Sequence, residues 1–356
     1  MRNCKPTASM DSISRAAVTL TVIHMILGLL TGCALPSNEP TSTPGVTATI
    51  TPTHTPEATT TPAPLGSAEN PLIMAIVAEP DNQAALDAAI TTATTISAAT
   101  GYQVQAQSFP DYPSVLTGLE ENRIHITWLP PITYIYAAEH RLVEVILLTN
   151  HFGVYLYGTQ YFANVSSGMT IFFDPERDTS TAPMEDALAQ FAGKRPCWTE
   201  PSSASGMILP AGLILQQGIQ LQDPVMVQTH TAVLRSLWVR GLCDFGATYA
   251  HIGDPRTSST LQDLPGLNEQ VVIVWRSEPF IPNLNVSVAP GLPAEIKAAI
   301  ATTLVDHAKT PEGQLALSTA NQYDILDLKP YDDSIYDPLR EALRATGSVL
   351  YPMIGK

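Results

Sequence analysis

The segment Arg195-Pro196-Cys197-Trp198-Thr199 runs into Glu200-Pro201-Ser202-Ser203-Ala204-Ser205-Gly206-Met207-Ile208-Leu209-Pro210, a short strand pattern that hands a hydroxyl cluster to a helix. Residues of these types at such a junction are suited to holding an anion. The first N–H groups of a helix have no intrahelical partner and lie at the positive end of its dipole, so with nearby hydroxyls they hold an oxyanion without lysine or arginine. Plain N-capping is the commonest use of serine before a helix. Two hydroxyls, Ser203 and Ser205, flanking Ala204 and followed by Gly206, favour ligand contact instead. Nucleophilic chemistry has little support, because the chain has no G-x-S-x-G elbow and no motif that sets a base beside these serines. The eight histidines form no His-x-His or H-E-x-x-H pattern, and there is no C-x-x-C or G-x-G-x-x-G. Neither a metal nor another cofactor is expected, and no catalytic residue is assigned.

The elements that must carry this cluster alternate in type. Leu72 to Val77 is a continuous apolar run of the kind a buried parallel strand shows, and Leu86, Ile90, Ala93 and Ile96 recur at helical spacing up to Gly101. A strand near Tyr102 to Phe109, a helix from about Pro113 and a strand at Ile124 to Leu129 continue the series. After Ser167 the grammar repeats, with a helix near Pro183, the strand at Arg195, the serine-led helix, a strand at Val225, a helix over Thr231 to Arg240 and a strand at Leu242 to Tyr249. Two doubly wound α/β lobes follow from this alternation. Tyr155 to Val165 and Val271 to Val288 are placed to be the two segments of a hinge. Ile296, Ile300 and Leu304 mark a returning helix, and Thr310-Pro311 caps another. In such sheets ligands sit beyond the carboxyl ends of the strands. That rule selects the loops at Glu79 to Asp81, Pro110 to Tyr112, Pro130-Pro131, Ser202 to Gly206, Thr229 to Thr231 and Thr248-Tyr249.

The rest of the chain sets the location. Arg2, Lys5 and Arg15 precede an apolar run that ends in Leu30-Thr31-Gly32-Cys33, so residues 1–32 read as an export signal and Cys33 as a lipid-acylated first residue of the mature chain. Residues 33–69 then form a Thr/Pro-rich, disordered stalk with almost nothing to bury. Residues 70–160 supply the first part of lobe 1, residues 161–275 lobe 2, and residues 276–356 the return to lobe 1 with C-terminal helices. The formal charge is −15, and the leader's three basic and one acidic residues carry +2, so its removal leaves −17. An acidic surface argues against nucleic acid and leaves any anionic ligand to local donors. Cys197 and Cys243 are the cysteines of the folded part, and in an exported protein one such pair is either a disulfide or two reduced core thiols.

Several motifs together resemble the PhnD-type phosphate, phosphite and phosphonate substrate-binding proteins of ABC transporters, which have the type 2 periplasmic binding fold. They are Asp111-Tyr112 opening a helix, Trp128-Leu129-Pro130-Pro131 with Tyr134, Gly193-Lys194, the Pro-Ser-Ser-x-Ser-Gly-x-x-x-Pro segment, Gly218-Ile219, His230 before a helix, Asp244-x-Gly246-Ala247 and Ile281-Pro282-Asn283. The resemblance implies a two-lobed clamp, expected to be a monomer, that captures a small phosphorus oxyanion for an ABC permease, with acylated Cys33 as its tether to the outer face of the membrane. The alternatives are the same clamp on another small anion or polar organic ligand, or a ligand sensor for a signalling receptor. It implies oxyanion contacts from Tyr112, from a crossover tyrosine matched by Tyr161, from Ser203, Ala204, Ser205 and Gly206, and from His230. Ala204 stands where the family usually has threonine. Tyr249 stands where aminophosphonate binders carry a carboxylate, which disfavours an amine. Tyr134 is a minor candidate for the cleft wall, and Trp128 reads as packing. A His230 in contact with a dianion would have a raised pKa.

Overall fold

The computed structural model describes residues 63–348 and Ile354. The leader, Cys33 and most of the expected stalk lie outside the described residues. The stalk was expected to reach residue 69, but the fold begins before that. Gly66 N–H donates to the Asn70 carbonyl, Gln103 N–H donates to the Gly66 carbonyl, and Leu65 packs on the first core.

The first lobe is built from β1 (Leu72–Val77), α1 (Gln83–Thr100), β2 (Val104–Phe109), α2 (Tyr112–Glu120), β3 (Ile126–Leu129), α3 (Pro131–Glu139) and β4 (Glu144–Asn150). Asn82 caps α1 by accepting from Ala85 N–H, and Gly101 ends it in the left-handed region with φ +78°. The buried stripe of α1 is Ala85, Ala89, Thr92, Ala93 and Ile96, one position away from the larger residues expected to lead it, and Ile90 faces solvent. Small residues face inward because two later helices press on this side.

The second lobe follows as β5 (Leu156–Asn164), a hairpin of β6 (Phe173–Asp174) and β7 (Thr179–Ser180), α4 (Met184–Ala189), β8 (Pro196–Trp198), α5 (Leu209–Gln216), β9 (Val225–Met226), α6 (His230–Val239), β10 (Phe245–Ala250), α7 (Leu267–Gln270) and β11 (Val271–Arg276). The chain returns through β12 (Ile281–Pro282) to β13 (Asn285–Val288), α8 (Ala294–Ala308), α9 (Pro311–Asn321), β14 (Asp327–Pro330) and α10 (Asp337–Thr346). α8 and α9 are the helices that cover α1.

Both sheets are mixed. The first has the order β14-β4-β13-β3-β1-β2, with β1 parallel to β2 and β3, and with β13 and β14 antiparallel to their neighbours. The second has the order β11-β5-β10-β8-β9. Here β8, β9 and β10 run parallel, while β5 lies antiparallel to β10 and β11. The chain crosses between the sheets twice, from β4 to β5 and from β11 to β13, and β12 pairs with the start of β5 on the way back. Leu72, Met74, Ile126, Val286, Ile300 and Leu304 fill the first lobe, and Phe162, Val233, Leu237 and Ile273 fill part of the second.

The last helix does not stay with lobe 1. Leu339, Ala342 and Leu343 are buried on α5, and a Cβ on Gly212 would lie 2.5 Å from that of Ala342, so glycine sets how closely the two helices approach. Cys197 and Cys243 form a disulfide with Cα atoms 5.6 Å apart, which ties β8 to the segment just before β10.

Candidate functional site

Four helices place their first turns around one cavity of about 300 Å³. Tyr112 begins α2 after β2, with Asp111 capping the helix through Ser114 N–H. Pro130 to Thr133 begin α3 after β3. Ser202 to Ser205 follow β8, and His230 begins α6 after β9. All four loops leave the carboxyl ends of parallel strands, so their helix N-termini bring positive dipole ends and unpartnered N–H groups to one space. The remaining wall comes from Tyr157 and Glu200. None of these lining residues is a lysine or arginine.

The serine turn has an unusual local structure. Ala204–Ile208 forms one π-helical turn before α5, with Ile208 N–H donating to the Ser203 carbonyl at 3.0 Å. Ser203 Oγ accepts from Gly206 N–H at 3.1 Å, and Thr199 N–H donates to the Gly206 carbonyl at 3.1 Å. Gly206 allows this close return, because a Cβ there would lie 2.2 Å from Thr199 Oγ1. Thr159 on β5 fixes the turn from below by donating its hydroxyl to the Ser205 carbonyl at 2.7 Å. Ser205 is buried, and its side chain is within hydrogen-bonding reach of Tyr157.

Burial pushes the phenols of Tyr112 and Tyr157 up to about 12, against a hydrogen bond from Ser205 in the case of Tyr157, so both are neutral donors at pH 7. Burial also pushes the imidazole of His230 down to about 4, and its buried Nδ1 has no hydrogen-bond partner among the described residues. In the ligand-free protein His230 is therefore neutral. The rise in pKa expected on contact with a dianion would begin from that lowered value.

This sets a pH dependence of stability. The folded-state value for His230 lies below its ordinary 6.5, so as pH falls the unfolded chain takes up the proton first. The stability tied to a neutral His230 is fully present above about pH 6.5 and is lost as pH falls through about 4, on the order of 3 kcal/mol in all. His125 and His307 are lowered in the same direction by burial. Urea unfolding at pH 7 and pH 4.5 is expected to show this loss. His230→Asn should reduce it, and an equal loss in that variant would rule out His230 as a source.

The other candidates take different places. Gly206 sits behind the serine turn as its structural hinge and does not line the cavity. Tyr161 is a correction: it is fully buried in the second lobe, and its hydroxyl donates to the Pro210 carbonyl at 2.8 Å, while Tyr157 occupies the cavity wall. Tyr134 is also buried away from the cavity, donating to Asp333 at 2.6 Å with its ring 4.2 Å from that of Tyr336. Tyr249 stands behind the wall, its ring edge-on to His230 at 4.9 Å. Trp128 is core. Lys194 and Arg195 lie at the opposite end of β8, where Arg195 N–H donates to Asp244. A larger cavity of about 630 Å³ lies against β11 and α10 rather than at the parallel strand ends, and its Arg276 is held by Asp178 and Gln160.

Residues 74–336 match the family model described as "ABC transporter, phosphonate, periplasmic substrate-binding protein". Among solved structures, XAC2383 from Xanthomonas citri bound to chloride ion aligns with a TM-score of 0.58 at 18% identity, covering 78% of this chain and 99% of that chain. PhnD1 from Prochlorococcus marinus in complex with methylphosphonate aligns with a TM-score of 0.50 at 15% identity, covering 79% of this chain and 100% of that chain. At these identities the likeness is one of fold. No curated protein matches the chain.

Proposed function

Because the chain belongs to the family of periplasmic substrate-binding proteins of phosphonate ABC transporters, a transport family rather than an enzyme family, we propose that its cavity captures a small phosphorus oxyanion: phosphate, phosphite or phosphonate. The observation that carries this reading is the meeting of four helix N-termini with Tyr112, Tyr157, Ser203, Ser205 and His230 around a space of about 300 Å³ that has no lysine or arginine among the described residues lining it. Hydroxyls and backbone amides satisfy an oxyanion as fully as guanidinium does, yet release it when the lobes part. Ligand bridging the two lobes favours their closed arrangement, and closure is what the permease reads. Ala204 supplies a backbone N–H in place of a hydroxyl and leaves room beside the oxyanion. Cys33, acylated, tethers the clamp to the outer face of the membrane.

The test is isothermal titration and thermal melting with phosphate, phosphite, methylphosphonate and aminoethylphosphonate. At least one should bind. At a hundred times its Kd it should stabilise the protein by about 2.7 kcal/mol. Absence of heat and of any melting shift with all four would overturn the phosphorus reading. Cys33→Ala should move the protein from the membrane to the soluble fraction, and continued membrane association would count against the tether.

A further inference from the structure

Glu200 brings a formal negative charge to the wall of a cavity whose other lining residues carry none at pH 7. It is exposed, and its carboxylate has no ion pair or side-chain hydrogen bond among the described residues. Its backbone carbonyl accepts from Ser203 N–H at 3.1 Å, so the acid is fixed at the start of the serine turn. The other polar residues that line the cavity are Tyr112 from α2, Thr133 from α3, Tyr157 from β5, Ser202, Ser203 and Ser205 of the serine turn, and His230 from α6. None of them is a cation that would neutralise it.

A carboxylate beside an oxyanion seat has a definite consequence. It accepts hydrogen bonds and cannot donate, so an oxyanion without a proton meets only repulsion from it, whereas a P–OH group donates to it. We propose that Glu200 is the specificity-determining residue of this cavity, requiring the bound oxyanion to carry its own proton and so rejecting sulfur oxyanions of the same shape and charge. This rests on the phosphorus-oxyanion reading above and deepens it. Methylphosphonate monoanion and methanesulfonate are the matched pair, since each has one negative charge and three oxygens and only the first has an O–H.

The experiment is titration of wild-type protein and Glu200→Gln with both compounds at pH 6, where the phosphonate is largely the monoanion. A hydrogen bond to a charged acceptor is worth about tenfold to a hundredfold in affinity, so wild type should prefer methylphosphonate by at least about tenfold. Glutamine offers an amide donor to the sulfonate, and the variant should narrow the preference to about threefold or less, chiefly by gaining affinity for methanesulfonate. An unchanged preference in the variant would overturn the proposal, as would equal binding of the two compounds by wild type. Failure of both proteins to bind methylphosphonate, phosphate or phosphite would instead remove the phosphorus reading itself, and this proposal with it. Glu200 is exposed, so an unchanged melting temperature is the expected sign that the variant is folded.

Discussion

Gly206→Ala is expected to weaken binding of the phosphorus ligand by about a hundredfold or more, enough to abolish heat in a titration that detects wild type easily. The added methyl group would lie 2.2 Å from Thr199 Oγ1, 2.6 Å from Thr199 Cγ2 and 2.9 Å from Ser203 Oγ. These neighbours have little freedom to move. Thr199 is buried at the end of β8, and Ser203 Oγ is held by Gly206 N–H. Thr159 pins the Ser205 carbonyl from the other side, so the turn itself must open. Opening displaces the hydroxyls of Ser203 and Ser205 together, and losing two bonds to a charged ligand, each worth about 1.5–3 kcal/mol, gives the stated factor. Overpacking should also lower stability by about 1–3 kcal/mol. Gly291→Ala is the control, since a Cβ there meets nothing within 4 Å, and it should leave both affinity and melting unchanged. Wild-type affinity in Gly206→Ala would show that the serine turn is not where the oxyanion sits.

Much of the arrangement behind that prediction is legible in the sequence. The apolar run of β1, the stop signal of α1, the Thr310-Pro311 start of α9 and the serine turn all follow from local rules, because each depends on neighbouring residues alone. The rule that ligands lie beyond the carboxyl ends of parallel strands picked loops at Tyr112, Pro130-Pro131, Ser202 to Gly206 and His230, and the structure brings these four to one cavity. What local rules miss depends on distance. Tyr157, Thr159 and Tyr161 share one face of β5, and this face runs along the serine turn and α5, with Thr159 bonded to Ser205 and Tyr161 to Pro210. Alternation identifies the face but not the position along it. Because β5 runs antiparallel to β10, its first residues lie beside the carboxyl end of β10, where Gly158 pairs with Ala250, while Tyr161 pairs with Ala247 deeper in the sheet. Antiparallel direction is thus what moves the cavity tyrosine from Tyr161 to Tyr157. Local pattern does not reveal α3 or β4. Pro130-Pro131 reads locally as a loop after β3, although proline at the first helical position favours a helix start. The docking of α10 on α5 is equally remote from local pattern, since it turns on Gly212 meeting Ala342 more than a hundred residues away.

Reducing the Cys197–Cys243 bond, or replacing both cysteines with alanine, should have the second large effect, on stability rather than on affinity. The bond closes a loop across a sequence separation of 46 residues. Loop-closure entropy assigns such a loop about 4 kcal/mol, and removing a native disulfide commonly costs about 2–5 kcal/mol. In a folded unit of this size that is a fall in melting temperature of roughly 10 °C. The strand it anchors has few other attachments: β8 is three residues long and makes two paired positions with β10 and two with β9. Calorimetry with and without reductant checks the size, and an unchanged melting temperature would show that the bond contributes nothing to the folded state. The cavity should be much less sensitive. The serine turn is held by Thr159, by the Ser203 cap and by the closeness of Gly206 to Thr199, none of which passes through a sulfur atom. Well below its melting temperature the alanine pair should therefore bind ligand within about threefold of wild type, a difference under about 0.7 kcal/mol. A larger loss would mean that the bond positions Thr199 and the turn that follows it, which would make the disulfide part of the binding site.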